Sequence, residues 1–201
     1  EEDNVEDFTM KAQIANYEAM RPMFEAFIVN YPNATGVIQW MLNSAFPNML
    51  WQLYDWYLMP NAAFYATKNA CRPLNIIYNY KDHGVYISNE HHSSIDGFSA
   101  EITVLNTVGK TVYNEVVPME IHKNKSLKIL DLPDFSHVGE MYFLDLRLNG
   151  LEDNSSITNF YWLSTKDDVL DYDNSEWFIT RNSAYADLTG INHLKNVEII
   201  A

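Results

Sequence analysis

The sequence predicts a mainly β protein, an immunoglobulin-like β-sandwich preceded by an α/β segment. From residue 74 onward, short strand-like runs follow one another and are separated by turn residues. Apolar and polar side chains alternate within Ala100–Asn106 and Met141–Leu148, as they do in strands that bury one face. Before residue 74 the apolar residues recur instead at helical spacing, and a short apolar run interrupts them.

The strand-like runs have the number and spacing that are typical of a sandwich. They are Leu74–Tyr80, Val85–Asn89, Phe98–Asn106, Thr111–Met119, Ser126–Leu132, Glu140–Leu148 and Ser156–Leu163. The chain has a single cysteine, Cys71, so no intrachain disulfide can join the two predicted sheets. The topology expected is therefore that of an immunoglobulin-like domain without the disulfide of antibody domains.

The segment before these strands has the pattern of the closing unit of an α/β structure. Residues Glu6–Val29 carry apolar side chains at steps of three and four, which predicts an amphipathic helix. The nearly continuous apolar run Val37–Leu42 predicts a strand that is buried on both faces, as in a parallel sheet. A second helix is predicted over Asn61–Cys71 and is ended by Pro73. Helices around a buried strand indicate α/β packing.

Three regions follow from these patterns. Residues 1–72 form the α/β segment, residues 73–166 form the sandwich, and residues 167–201 form a linker with the first strand of a following β domain. The acidic and turn-forming residues of Asp167–Asn174 indicate a solvated linker. The apolar run Val197–Ile200 is too short to form a sheet alone, so we expect it to open that further domain.

Composition and charge exclude several classes of function. The formal net charge of -14 repels phosphate groups, so neither nucleic acid nor an anionic membrane surface is an expected partner. No run of about 20 apolar residues is present, so no membrane-spanning helix is predicted. One cysteine cannot form a thiolate cage, and the adjacent His91 and His92 would point to opposite faces of a strand. We therefore expect no metal and no cofactor.

Two motifs resemble a known family. They are Thr35-Gly36-Val37-Ile38-Gln39-Trp40-Met41-Leu42-Asn43-Ser44-Ala45-Phe46-Pro47 and Trp51-Gln52-Leu53-Tyr54-Asp55-Trp56-Tyr57. These residues resemble the last barrel strand and the following loop of glycoside hydrolases of family 2, closest to the exo-β-glucosaminidase and β-mannosidase branch. The flanking segments agree with the same family: Tyr65–Leu74, Asn159–Ser164 and Tyr185–Leu188.

The resemblance implies a retaining exo-β-glycosidase in which residues 1–72 are the carboxyl-terminal end of a (β/α)8 catalytic barrel. Retention requires two carboxylates about 5–5.5 Å apart. In the family both carboxylates lie on earlier barrel strands, which would precede Glu1, so no residue of this chain is expected to be catalytic. The chain would then be a non-catalytic fragment that completes and braces the barrel. The resemblance also implies a β-linked glycoside as the substrate of the full-length protein and its export, to the exterior or the periplasm.

Trp40 and Asn43 are the predicted substrate-binding residues. Trp40 stands at the carboxyl end of the predicted strand, where an indole can form the floor under a sugar ring; the alternative is a place in the barrel core. Asn43 could hydrogen-bond a sugar hydroxyl or could form a turn. A dense aromatic cluster follows: Trp51, Tyr54, Trp56 and Tyr57. Such a cluster packs one domain on another more often than it forms an outer sugar subsite.

Two questions remain open: whether the sandwich has a binding function of its own, and what covers the apolar run Val37–Leu42. The sandwich could itself be a carbohydrate-binding or interaction module, although its aromatic residues are spread over several strands, which favours a structural role. The apolar run Val37–Leu42 would expose unpaired backbone groups if its neighbouring strands were absent. We expect this segment either to repack on the sandwich or to be covered by a second copy of the chain in a homo-oligomer.

Overall fold

The computed structural model describes residues 4–48, 52–152 and 156–195. Strand (37%) exceeds helix (23%), which confirms the predicted mainly β class. The chain divides into two compact units. The first contains the residues up to Phe98 together with Met119–Leu132, and the second contains Ser99–Pro118 together with the residues from Pro133 onward. The predicted borders at residues 72 and 166 stay predictions.

The two predicted helices are confirmed in the first unit as α1 (Val5–Val29) and α2 (Ala62–Ala70), which pack against each other. Both begin at an asparagine cap, which satisfies a backbone N–H group that has no partner inside the helix. The side-chain oxygen of Asn4 accepts from the Asp7 N–H at 2.8 Å, and that of Asn61 accepts from the Phe64 N–H at 3.2 Å. Among the described residues, no helix has the length and apolar character needed to cross a membrane.

Small side chains set the contact between the two helices. Ala63, Ala66 and Ala70 recur along one face of α2, and each is fully buried. Met20 and Phe24 of α1 belong to the same core cluster. Because alanine has almost no side chain, the larger residues of α1 can reach the backbone of α2, and the apolar contact is buried between the helices.

Seven strands form the two main sheets in the part of the chain that is described. They are β1 (Leu74–Asn79), β2 (Gly84–Asn89), β3 (Ile95–Asn106), β4 (Thr111–Ile121), β5 (Lys125–Asp131), β6 (Met141–Asn149) and β7 (Ile157–Ser164). One sheet has the order β1-β2-β5 and the other has the order β4-β3-β6-β7. These strand orders are similar to the A-B-E and C′-C-F-G orders of immunoglobulin-like domains. All seven predicted strands are confirmed, with their ends displaced by a few residues at most.

Alternation along β3 gives the second sheet one buried face. Ile102 and Val104 are fully buried, and they stand opposite Leu146 and Leu144 of β6 in the antiparallel pairing. The intervening Thr103 lies on the other face, where its hydroxyl accepts a hydrogen bond from the side-chain amide of Asn114 at 2.8 Å. The alternation of apolar and polar residues in the sequence therefore matches the alternation of buried and exposed faces in the sheet.

The prediction of a buried strand over Val37–Leu42 is wrong in this structure. The segment has no strand hydrogen-bonding, and the side chain of Ile38 is 94% exposed. A doubly buried strand needs neighbouring strands on both sides. Within the described residues, the parallel pairing closest to this segment is one isolated bridge between Asn43 and Tyr54. The structure thus does not confirm a barrel remnant.

The predicted acidic linker contains secondary structure of its own. Its elements are β8 (Val169–Leu170), β9 (Asn182–Ala184) and two 3-10 turns, Tyr172–Asn174 and Thr189–His193. Asp168 accepts hydrogen bonds from the Asn182 side-chain amide and from the Ala186 N–H, both at 2.9 Å, so this carboxylate holds the β8–β9 hairpin. The predicted strand Val197–Ile200 lies outside the described residues.

Shortening Ile102 tests the buried face of the second sheet. Ile102→Ala leaves a cavity at a fully buried site, and we expect it to lower the free energy of unfolding by about 2–5 kcal/mol. Val116→Ala, at an exposed position of β4, is the control and should remain within about 0.5 kcal/mol of the unchanged chain. Urea unfolding followed by circular dichroism measures both; equal losses in the two variants would contradict the assigned faces.

Candidate functional site

Both predicted substrate-binding residues lie on the segment that connects α1 to α2. The carbonyl oxygen of Leu42 accepts from the N–H groups of Leu53 and Tyr54, each at 3.0 Å. The bridge between Asn43 and Tyr54 adds a second tie at the same point. These contacts fix the chain directly after Trp40, so the positions of Trp40 and Asn43 are set by backbone bonding.

Trp40 is an exposed side chain on an exposed apolar segment. Its exposed fraction is 72%, so it does not occupy a core position in this structure. Exposure alternates along the segment: Ile38, Trp40 and Leu42 face solvent, whereas Gln39 and Met41 are half-buried. The peptide bond between Trp40 and Met41 is cis. An exposed indole offers a flat apolar face to a ligand, and binding of substrate by Trp40 stays a prediction.

Asn43 is exposed, and its side chain bonds within its own turn. The side-chain amide donates to the carbonyl oxygen of Ser44 at 3.2 Å, a local bond of the kind that stabilises turns. Ser44 itself is buried, and its hydroxyl bonds the carbonyl oxygen of Phe46 and the side-chain amide of Asn48. This geometry agrees with a turn-forming role for Asn43, and its contact with a sugar hydroxyl stays a prediction.

The aromatic cluster divides into a packed part and an exposed part. Tyr54 packs on Phe64 of α2 with ring centroids 5.0 Å apart, and both rings contact the core between the helices. Trp56 and Tyr57 are exposed. Trp51 lies outside the described residues. Tyr54 therefore packs inside its own unit, Trp56 and Tyr57 are accessible to a partner, and the docking of one domain on another by this cluster stays a prediction.

A cleft of about 860 Å³, lined by both polar and apolar side chains, lies beside this segment, between α1 and the residues that lead into α2. Its polar lining includes Gln13, Asn16, Asn48, Gln52 and Asp55. Amide side chains both donate and accept hydrogen bonds, which suits hydroxyl-rich ligands. Gln13 and Asn16 stand three residues apart on one helix face, which was a signal available in the sequence. The cleft itself depends on the fold of residues 44–48 and 52–61, which the sequence did not predict.

An ionic cluster around one buried arginine joins α1 to the residue that follows β1 within the first unit. The guanidinium of Arg21 is fully buried and donates to both carboxylate oxygens of Glu18, at 2.8 and 3.0 Å, and to the Tyr80 hydroxyl at 3.4 Å. It also lies over the ring of Tyr17, 5.3 Å from the centroid. Burial raises the pKa of Glu18 against the opposing charge of Arg21, and burial likewise raises the pKa of Tyr80.

The described parts of the chain were compared with the requirements of a metal site and of a reactive thiol. There, no group of three or more histidine, cysteine, aspartate or glutamate side chains could hold a metal ion. Burial of the thiol raises the pKa of Cys71, and the negative charge of Glu90 raises it further. Since the thiolate is the reactive form, this environment disfavours nucleophilic chemistry at Cys71.

Comparison with known proteins gives clear relatives. No protein-family model matches the chain. An exo-β-D-glucosaminidase of Arthroderma benhamiae is 33% identical over 199 residues, which cover 98% of this chain and 23% of that protein. The crystal structure of the exo-chitosanase of Amycolatopsis orientalis matches with a TM-score of 0.89 at 33% identity, covering 96% of this chain and 23% of that one. A β-D-mannosidase of Dictyoglomus thermophilum, 22% identical, shares the fold with a TM-score of 0.63 over 76% of this chain and 19% of its own.

The relatives that match at 33–34% identity are exo-β-D-glucosaminidases, which supports the predicted resemblance to glycoside hydrolases of family 2. The similarity extends along almost the whole chain and therefore through both units. The chain spans about a fifth of the length of the curated relatives that it matches.

Removing the buried cation tests the ionic cluster. Arg21→Met leaves the carboxylate of Glu18 without the guanidinium that it bonds, and we expect a loss of about 3–5 kcal/mol in the free energy of unfolding. Lys11→Met is the matched control, because the Lys11–Asp7 pair is solvent-exposed and contributes about 1 kcal/mol at most. Guanidinium unfolding compares the two; similar small losses in both would show that the Arg21 cluster does not anchor α1.

Proposed function

We propose, from homology with the exo-β-D-glucosaminidases of glycoside hydrolase family 2, that this chain is a non-catalytic part of a retaining exo-β-glycosidase. Residues 1–72 would complete and brace the catalytic barrel of that enzyme. The observation that carries the proposal is the extent of the match, which takes in 98% of this chain but 23% of an exo-β-D-glucosaminidase. Most of such an enzyme, including its catalytic carboxylates, would then lie in sequence outside this match.

The exposed apolar segment supports this assignment. Ile38, Trp40 and Leu42 are large apolar side chains that face solvent at alternate positions. A strand in a closed barrel has neighbours on both sides, which pair its backbone and cover its side chains. We infer that residues 37–42 become such a strand when the rest of a barrel is present. In the isolated chain, a second copy of the chain could instead cover the apolar side chains of residues 37–42.

The ion pair of Glu18 argues against a catalytic role for that carboxylate. Retaining hydrolysis needs one carboxylate as nucleophile and a second as acid and base, about 5–5.5 Å apart. Both carboxylate oxygens of Glu18 accept hydrogen bonds from the guanidinium of Arg21. Such a carboxylate is held in a structural ion pair. The contribution of this chain to the site would instead be the indole of Trp40 under the sugar ring and a hydrogen bond from Asn43.

The expected substrate class is a β-linked glycoside, with glucosamine as the leading sugar. Five of the relatives are described as exo-β-D-glucosaminidases, and a solved structure of the Amycolatopsis orientalis enzyme holds PNP-β-D-glucosamine. The net charge of -14 on this chain would attract an amino sugar that carries a positive charge.

A second candidate function is carbohydrate binding by the second unit. Trp177 and Phe178, between β8 and β9, form an edge-to-face pair with centroids 4.4 Å apart. Trp177 is 96% exposed, so its indole is available to stack on a sugar. Retention of the isolated chain on an insoluble β-linked glucosamine polymer would favour this candidate over a purely bracing role.

A panel of nitrophenyl β-glycosides tests the main proposal. We expect hydrolysis by the full-length protein, most rapidly of the glucosaminide, and none by the 201-residue chain alone, because the proposal places the carboxylate pair outside this chain. Turnover by the 201-residue chain would contradict a non-catalytic role. Equal inactivity of the full-length protein on every sugar would contradict the assignment to a glycosidase.

Replacing Trp40 tests its place in the substrate site. In the full-length protein, Trp40→Ala should lower kcat/KM by roughly tenfold or more, since one apolar contact with substrate is worth about 1–3 kcal/mol. The matched control is Trp177→Ala, which removes an indole that is exposed in the second unit. Steady-state kinetics, with thermal unfolding as a check on folding, should separate the two; equal kcat/KM values would exclude Trp40 from the site.

A further inference from the structure

We propose that Asn33, in the turn after α1, is an acceptor for an N-linked glycan when the protein passes through a eukaryotic secretory pathway. Asn33-Ala34-Thr35 has the form Asn-x-Thr with a residue other than proline in the middle, which is the recognition sequence for this modification. The inference does not depend on the proposed function, since a glycan can be present on a catalytic or a non-catalytic chain.

The structure presents this sequence in an accessible form. The N–H groups of Asn33 and Ala34 both donate to the carbonyl oxygen of Asn30, at 2.8 and 3.2 Å, which turns the chain away from the helix. The side chains of Asn33 and Thr35 are exposed. Within the described residues, the side-chain amide of Asn33 makes no hydrogen bond. A bulky glycan at this position therefore displaces no packed group.

Two other sequences of the same form provide a comparison. Asn124-Lys125-Ser126 places its asparagine in a left-handed conformation, with φ of 47°, and its hydroxyl is buried in β5. Asn154-Ser155-Ser156 includes residues outside the described ranges. Of the two sequences that the structure describes in full, the one at Asn33 has both its amide and its hydroxyl in solvent, and for this reason we assign the glycan there.

The reaction is a transfer from a lipid-linked donor. The side-chain nitrogen of Asn33 forms a bond to the anomeric carbon of an oligosaccharide that is carried on a polyprenyl pyrophosphate. The bond between that carbon and the pyrophosphate oxygen breaks, the lipid pyrophosphate leaves, and one amide proton passes to a base of the oligosaccharyltransferase. No oxidant or reductant is needed.

A glycan at Asn33 would constrain how this chain packs in a larger protein. Phe27 and Tyr31 are partly exposed beside Ala34 and Thr35 on the wall of a cavity of about 430 Å³. The glycan would shield these apolar side chains and keep the turn in solvent. Surfaces that dock on the remainder of the protein must then lie elsewhere in the first unit.

The test uses the 201-residue chain, secreted from yeast, with Ser126→Ala and Ser156→Ala so that the other two acceptor sequences are absent. We expect the secreted chain to lose mass on treatment with peptide-N-glycosidase. Peptide mass spectrometry should then find the conversion of asparagine to aspartate at position 33. Secreted chain with the unmodified mass would overturn the proposal.

Three further variants separate modification from folding. Asn33→Gln and Thr35→Ala both remove the acceptor sequence by different changes, and each should abolish the glycan. Thr35→Ser keeps the sequence and should keep the glycan. Each variant is collected from the medium and from the microsomal fraction, so a variant that fails to be secreted is still measured. A glycan that survives both Asn33→Gln and Thr35→Ala would show that the acceptor lies elsewhere.

Discussion

Burial of the Arg21 guanidinium is the constraint on which the first unit depends. A charge removed from water costs several kcal/mol unless it is paired and hydrogen-bonded. Glu18 supplies the pair from the preceding helical turn, and the Tyr80 hydroxyl supplies a further contact from just beyond β1. These partners are satisfied together only when α1 has one position relative to β1. The position of α1 in turn fixes where the alanine face of α2 can pack.

Because α1 and α2 have fixed positions, the segment that connects them is held at both ends. The proposed function rests on the geometry of this segment. Its chain is tied at Leu42 and Asn43 to residues 53 and 54, while Ile38 and Trp40 are left in solvent. The hydrophobic effect disfavours such an exposed apolar surface. The simplest explanation of such a surface is that a partner covers it. Homology to much longer glycosidases favours the rest of a catalytic barrel as that partner.

Elements that depend on local pattern were predictable from the sequence, and those that depend on distant contacts were not. The period of α1 and the alternation of β3 and β6 lie within one segment, so helices and strands were located well. The strand at Val37–Leu42 was wrong because a doubly buried strand depends on neighbours that a single apolar run cannot specify. The hairpin at Val169–Leu170 was missed since a two-residue strand has no period. The burial of Arg21 was not predicted, although Glu18 three positions earlier was an available signal.

The central claim is that residues 37–42 form a barrel strand when the rest of a glycosidase is present. Amide hydrogen exchange of this segment, measured by mass spectrometry in the 201-residue chain and in the full-length protein, tests the claim most directly. The account predicts rapid exchange in the isolated chain and strong protection in the full-length protein. Rapid exchange of residues 37–42 in both proteins would contradict it.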